Sequence, residues 1–368
     1  MSVVNLQSTP IYTKSPYFIK IDEPNQTGTL LRMWIWTADD LSPPVQPTYV
    51  RDKLIPASNN TATYYNLSSF ISEFFNYTNF NPATTTVNQT SNESEWVYCK
   101  VERLYITATS GGYVSIDTQT FRSFYGYGFY TDGYNPDLGV AQLTPGYYQY
   151  LPTSQTTVLE KIGSIRWVAQ EDWVVKYTNL NTGATNSTTF AAALIGSNAV
   201  KDTPLVYAPY INDGNKLEII DDLAQVQYTY YMEPVEECKY TPVICDFTNR
   251  YGAWQRMWFF KLSREGYTAT NQKFNFASQD LENFDTSLGQ RKIFNSNMVK
   301  NITVNTGLVR EDFNNIVTEL SLSENIQIDG KPAILTSLSN QYKSGINDKI
   351  IDYTMTFDYA YDEVNTII

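Results

Sequence analysis

The chain has 368 residues, with 26 basic and 38 acidic side chains, a formal net charge of −12 and no histidine. Without imidazole there is no Ser-His-Asp or Cys-His nucleophile and no His-ligated metal site, and an acidic chain without a basic run offers little to a phosphate backbone, so nucleic acid is not expected as a partner. A hydrophobic content of 42% against 17% charged residues excludes wholesale disorder, and the length provides for two or three domains, each with its own core.

The opening residues, MSVVNLQSTPIYTKSPYF, have neither a basic n-region nor an apolar h-region. The longest strictly apolar run, Phe190 to Ile195, falls far short of the roughly 20 residues of a membrane span. The expectation is a protein made in a reducing cytoplasm and not inserted in a membrane. Cys99, Cys238 and Cys245 lack zinc-ligand spacing and read as reduced thiols; a Cys238–Cys245 bridge across two strands is the alternative.

In chain order, Tyr17 to Ile21 is a strand candidate, closed by Glu23-Pro24-Asn25. Leu30 to Trp36 is a second, apolar on both parities and therefore expected to be buried on both faces, and the short turn between the two predicts a hairpin. Leu67, Phe70, Ile71, Phe74 and Phe75 make a helical stripe with Asn66 as candidate N-cap. The polar stretch from Asn76 to Glu95 reads as a surface loop, after which Trp96 to Val101 and Arg103 to Thr109 return to strand. Arg166 to Tyr177 and Gln225 to Met232 are further strands. Asn179 to Gly183 reads as a hairpin turn between Trp173–Tyr177 and Ser187–Leu194.

In the last third, Cys245 to Phe247 and Met257 to Lys261 flank Asn249-Arg250-Tyr251-Gly252 as two strands. Phe313, Ile316, Val317 and Leu320 mark a helix with Glu311 and Asp312 in its first turn. Ile351, Tyr353, Met355, Phe357 and Tyr359 alternate along a final strand. The expected fold is mainly β, a multidomain β-sandwich or barrel-like architecture with two or three short α-helices. It divides as residues 1–160, 161–235 and 236–368, the last holding a helix near 309–321.

The acid–base candidates are adjacent carboxylates: Asp39-Asp40, Glu171-Asp172, Asp221-Asp222 and Glu236-Glu237. A glycosidase needs two carboxyls about 5 to 9.5 Å apart across a cleft, whereas neighbours on a strand point to opposite faces, so charged turn residues are the plainer reading. Asn212-Asp213-Gly214-Asn215 with Glu218 misses the EF-hand pattern and reads as a type I′ turn. Phe121 to Pro136 packs aromatics around Gly126, Gly128 and Gly133. Tyr125, Tyr127, Phe129, Tyr130 and Tyr134 are candidate interface or glycan-contact residues; filling a core or a subunit interface is the plainer role. Nothing in the sequence calls for a cofactor or a resident metal, and no enzymatic activity is expected.

Three groups of segments carry a resemblance. One is Ser15-Pro16-Tyr17-Phe18-Ile19 with Leu31-Arg32-Met33-Trp34-Ile35-Trp36. Another is Gly126-Tyr127-Gly128-Phe129 with Gly133-Tyr134-Asn135-Pro136. The most specific comprises Glu237-Cys238-Lys239-Tyr240-Thr241-Pro242, Phe247-Thr248-Asn249-Arg250-Tyr251-Gly252 and Trp258-Phe259-Phe260-Lys261. Asn305-Thr306-Gly307, Leu320-Ser321-Leu322-Ser323-Glu324 and Lys349-Ile350-Ile351-Asp352-Tyr353-Thr354 follow. Together they resemble uncharacterised virion structural proteins, of tail or baseplate type, from tailed bacteriophages infecting Bacteroidetes-type hosts. The resemblance brings no catalytic or ligand residues. It implies a part of the virion that assembles with copies of itself and with other virion proteins, as a tail, baseplate or collar-type ring. A receptor- or carbohydrate-binding module contacting a host-surface glycan is the alternative it leaves open.

Overall fold

The computed structural model describes residues 11–36, 42–56, 62–75, 89–90, 96–133, 148–152, 164–169, 172–190, 199–204, 210, 212–275, 287, 289–337 and 350–364. The protein is mainly β, with several separate sheets and, among the described residues, two short α-helices. It divides into two compact units. The first takes residues 1–149, 155–234 and 248–255; the second takes residues 150–154, 235–247 and 256–368.

The first unit holds a five-stranded sheet in the order Ile11–Tyr12, Val114–Phe124, Trp96–Thr107, Gln26–Trp36, Tyr49–Leu54, antiparallel except at its parallel first pair. Nearly every residue of Gln26–Trp36 is buried, as its double-parity apolar pattern predicts. Leu31, Met33 and Ile35 meet Val97, Cys99 and Val101 in one core. A ribbon of Phe18–Ile21 paired with Thr63–Asn66 adds Ile19, Ile21 and Tyr65 to that core. Arg103, 2% exposed, ties the two layers together: its Nε donates to Asp117 Oδ1 at 2.7 Å and its Nη1 to the Lys20 carbonyl at 2.8 Å.

The hairpin expected between Phe18–Ile21 and Gln26–Trp36 does not form. The turn exists, with Asn25 at φ 58° and the Gln26 backbone N–H donating to the Glu23 carbonyl. The Gln26 amide then donates to the Ile21 carbonyl at 3.3 Å, and the chain crosses to another layer. Gln26–Trp36 instead pairs with Trp96–Thr107 on one edge and Tyr49–Leu54 on the other, as a central strand of its sheet. The helix expected from Leu67 to Phe75 is cut to Ser68–Ile71 and a 3-10 turn at Ser72–Phe74. Leu67, not Asn66, holds the N-cap position, although Asn66 Oδ1 still accepts from the Ser68 and Tyr17 N–H groups.

A second antiparallel sheet in this unit runs Thr185–Phe190, Trp173–Asn179, Asn215–Ile220, Val226–Val235. Trp173–Asn179 alternates buried and half-buried residues. The Asn179–Gly183 hairpin forms as expected: Asn179 Oδ1 accepts from the N–H groups of Asn181 and Thr182, and Gly183 takes φ 74°. Arg166 to Tyr177 is not one strand but two, Ser164–Ala169 and Trp173–Asn179, in different sheets. Of the Asn76–Glu95 loop only Gln89–Thr90 is described, paired with Lys201 and Asp202.

The second unit is built on a seven-stranded sheet in the order Trp254–Phe259, Val243–Thr248, Ile326–Ile328, Lys331–Leu335, Thr354–Tyr359, Arg291–Asn305, Arg264–Asn275. Met355, Phe357 and Tyr359 face inward, with Phe357 at 6.1 Å from the Phe259 ring. The helix expected near 309–321 is a 3-10 turn at Glu311–Phe313 followed by the α-helix Asn314–Leu322, which buries Ile316, Val317 and Leu320. Asp246 and Arg256 form a buried bidentate pair at 2.7 and 3.0 Å.

Candidate functional site

Two surfaces merit attention. The first collects the glycine-rich aromatic segment. After the Val114–Phe124 strand ends, three chain segments lock together by backbone hydrogen bonds. The Lys14 N–H donates to the Gly126 carbonyl at 2.9 Å, the Tyr127 N–H donates to the Arg250 carbonyl at 2.8 Å, and the Gly128 N–H donates to Ser15 Oγ at 2.7 Å. Each of the three segments contributes to the resemblance noted above. Gly126 is required by this approach: a Cβ there would stand 2.2 Å from the Arg250 carbonyl oxygen. The Asn249–Gly252 turn is held by Asn249 Oδ1, which accepts from the Tyr251 and Ala253 N–H groups, with Gly252 at φ 75°.

Arg250 organises the aromatics. Its guanidinium stands 4.8 Å from the centroids of both Phe129 and Tyr251 and 3.6 Å from Asp132. Tyr251 packs on Tyr12 at 5.8 Å, and burial, reinforced by the Tyr251 phenol, pushes the Tyr12 phenol far above the usual tyrosine range, so it stays protonated. Of the sequence-predicted residues, Tyr125 lies against Phe75 and under the Lys14 ammonium, and Tyr127 lies edge-on to Phe129, all half-buried. Tyr130 is fully exposed at the tip of its single 3-10 turn. Tyr134 lies outside the described residues. The segment is thus an inward-packed aromatic and cationic stack with one protruding tyrosine.

The second surface is one that reading for periodicity misses. Arg264–Asn275 and Arg291–Asn305 pair over twelve positions as a long antiparallel arm. Arg264–Asn275 is exposed along nearly its whole length, on both faces, and Arg291–Asn305 becomes buried only towards Ile302 and Val304. Phe274 and Phe294 meet at 6.0 Å with exposures of 42% and 64%, and Tyr267 is 70% exposed. Arg264–Asn275 also forms one edge of the seven-stranded sheet. At the opposite edge every residue of Trp254–Phe259 is buried.

The carboxylate candidates do structural work. Asp221 accepts from the Gln225 N–H and the Gln227 amide within a turn. Glu237 accepts from Lys261 Nζ at 2.6 Å and from the Lys239 N–H; the lysine first, and the backbone N–H second, hold its carboxyl below the usual glutamate range. Asp39, Asp40 and Glu171 lie outside the described residues. At the faint calcium motif, Glu218 pairs with Lys216 at 2.7 Å. Gly214 alone takes a positive φ, 84°, so the turn is not type I′. Among the described residues no group of three Cys, Asp or Glu side chains could hold a metal ion. No disulfide forms: Cys99 and Cys245 are buried and Cys238 is exposed. No helix among the described residues is long and apolar enough to cross a membrane.

No family model matches the chain. No curated protein matches it either. One solved structure, described as the crystal structure of the E. coli chaperone DraB, aligns over 61% of this chain and 95% of that chain at 11% identity, with a TM-score of 0.18. A similarity that low carries no argument about fold or function.

Proposed function

We propose that the protein is an architectural component of a tailed-phage virion, a tail, baseplate or collar-type part that works by assembling with its own copies and with other virion proteins. The observation that carries the assembly reading is the arm: its outer strand, Arg264–Asn275, is exposed on both faces along nearly its whole length and, among the described residues, ends the seven-stranded sheet as an edge. An isolated two-stranded ribbon is marginal in water, and a long open edge is a template for pairing, so such an element is stable and soluble as part of something larger. The phage assignment itself rests on the sequence resemblance. The net charge of −12 keeps free subunits apart before assembly. Detection of the protein in purified particles, at a fixed ratio to the other virion proteins and resistant to a high-salt wash, is the expected result. Particles that lack it would refute the reading.

A second reading, a receptor- or carbohydrate-binding module, draws on Tyr130, which stands fully exposed on the Arg250-held loop. It requires saturable binding to a host-surface glycan that Tyr130→Ala abolishes.

A further inference from the structure

Edge strands in soluble proteins are usually short, bulged, or interrupted by proline or by charges, each of which blocks strand addition. Arg264–Asn275 has none of these over its centre. Gly266 to Gln272 carries no charge and no proline. The bulge in the arm falls on the other strand, where Phe294 is the residue left without an opposite number, so the outer strand keeps a regular edge. Its charges, Arg264, Glu265 and Lys273, sit at the two ends.

That placement is self-complementary. When two copies of the strand are laid antiparallel about a two-fold axis at Ala269, Glu265 of each falls opposite Lys273 of the other. Arg264 falls opposite Phe274, and Tyr267 opposite Asn271. The neighbouring two-fold registers differ by two positions in the pairing and set Glu265 opposite Asn271 or Asn275, so the Glu265–Lys273 pairs are lost. Opposite charges directly across an antiparallel pair attract, so the charges favour the register centred on Ala269 over its symmetric neighbours. Glu265 and Lys273 are both exposed and lie on the same parity of the strand, hence on one face, as the pairing requires.

We propose that a second copy of this chain occupies the edge: the two Arg264–Asn275 strands pair antiparallel across a two-fold axis centred on Ala269, fusing two seven-stranded sheets edge to edge. The inference rests on the assembly reading above and names its partner; the contact is isologous, so one surface serves both subunits.

The test uses the full chain with Cys238→Ser, which removes the exposed native thiol. Ala269→Cys places two cysteines opposite one another at the axis, about 4.5–5.5 Å apart between Cα atoms, within disulfide reach. Rapid quantitative cross-linking on mild oxidation is expected there, and none at the control Tyr113→Cys, exposed in the other unit. Sedimentation supplies the charge test. Glu265→Lys should weaken self-association about tenfold, and Glu265→Lys with Lys273→Glu should restore it to within about twofold. Both side chains are exposed, and unchanged thermal melting would confirm that the fold survives each change. Self-association that ignores both charge variants, or cross-links Ala269→Cys no faster than the control, overturns this pairing and leaves the assembly reading intact. A chain that is monomeric alone but loses particle incorporation with Thr270→Pro also overturns it, and gives the edge to a different protein. A monomer that never enters particles retires both.

Discussion

Gly126 shows how a single residue fixes the aromatic stack. The Arg250 carbonyl occupies the space of the missing side chain, so Gly126→Ala forces the Asn249–Gly252 turn away from the segment it closes. The expected loss is about 2–3 kcal/mol in urea denaturation, the range of overpacking in a well-filled interior. Gly112→Ala, with nothing within 4 Å of the added Cβ, should change stability by less than about 0.5 kcal/mol. Glu237 supplies a pH dependence. Its folded carboxyl is held below the ordinary glutamate value of 4.5 by Lys261, so the pair contributes stability above that pH and loses it as pH falls through the depressed value. Lys261→Met should therefore lower stability at neutral pH, and the difference from wild type should vanish in acid; denaturation curves across pH 3 to 7 check this, where about 4.5 is the upper end of the window.

At the scale of elements, the sequence is most legible where one face is buried. Ile351, Tyr353, Met355, Phe357 and Tyr359 are all buried, as their alternation predicts, although the expected single strand from Ile350 to Tyr359 is two, Ile350–Ile351 and Thr354–Tyr359, in different sheets. The helix at Asn314–Leu322 is readable for the same reason: Ile316, Val317 and Leu320 form one apolar face. The arm is illegible by that logic. Exposed on both faces, Arg264–Asn275 has no pattern of period two to find. Asp329-Gly330 is a signal that was there to read. Both residues take positive φ, 48° and 75°, making the two-residue turn that joins Ile326–Ile328 to Lys331–Leu335. The Asp329 carboxylate also accepts from the Ile244 N–H at 2.9 Å, which ties the turn to the next strand. Gly330→Ala meets no atom within 4 Å, so its expected cost of about 1 kcal/mol is purely conformational. Asp329→Ala should cost more, because it also leaves the Ile244 N–H without its carboxylate acceptor, and chemical denaturation of the two variants side by side tests the ranking. The failed hairpin at Asn25 teaches the complementary lesson. A turn signal sets where the chain reverses, but Gln26–Trp36 pairs with Tyr49–Leu54 and Trp96–Thr107, partners distant in sequence and fixed by the tertiary fold.

For the whole molecule, the mainly β architecture was readable from composition, because β-branched and aromatic residues between turn formers leave few other options. Among the aromatic candidates, Phe129 packs under Arg250, which lies 121 positions along the chain and meets it only through the fold. Assembly through exposed sheet edges remains the central claim, and its most direct measurement is the mass of the purified full chain in solution across a concentration series, with negative-stain images of the same samples. The account predicts defined species at multiples of 42.0 kDa, growing with concentration into even-numbered or closed assemblies. A single species at 42.0 kDa at every concentration, carrying saturable glycan binding, would contradict it and favour the receptor-binding reading.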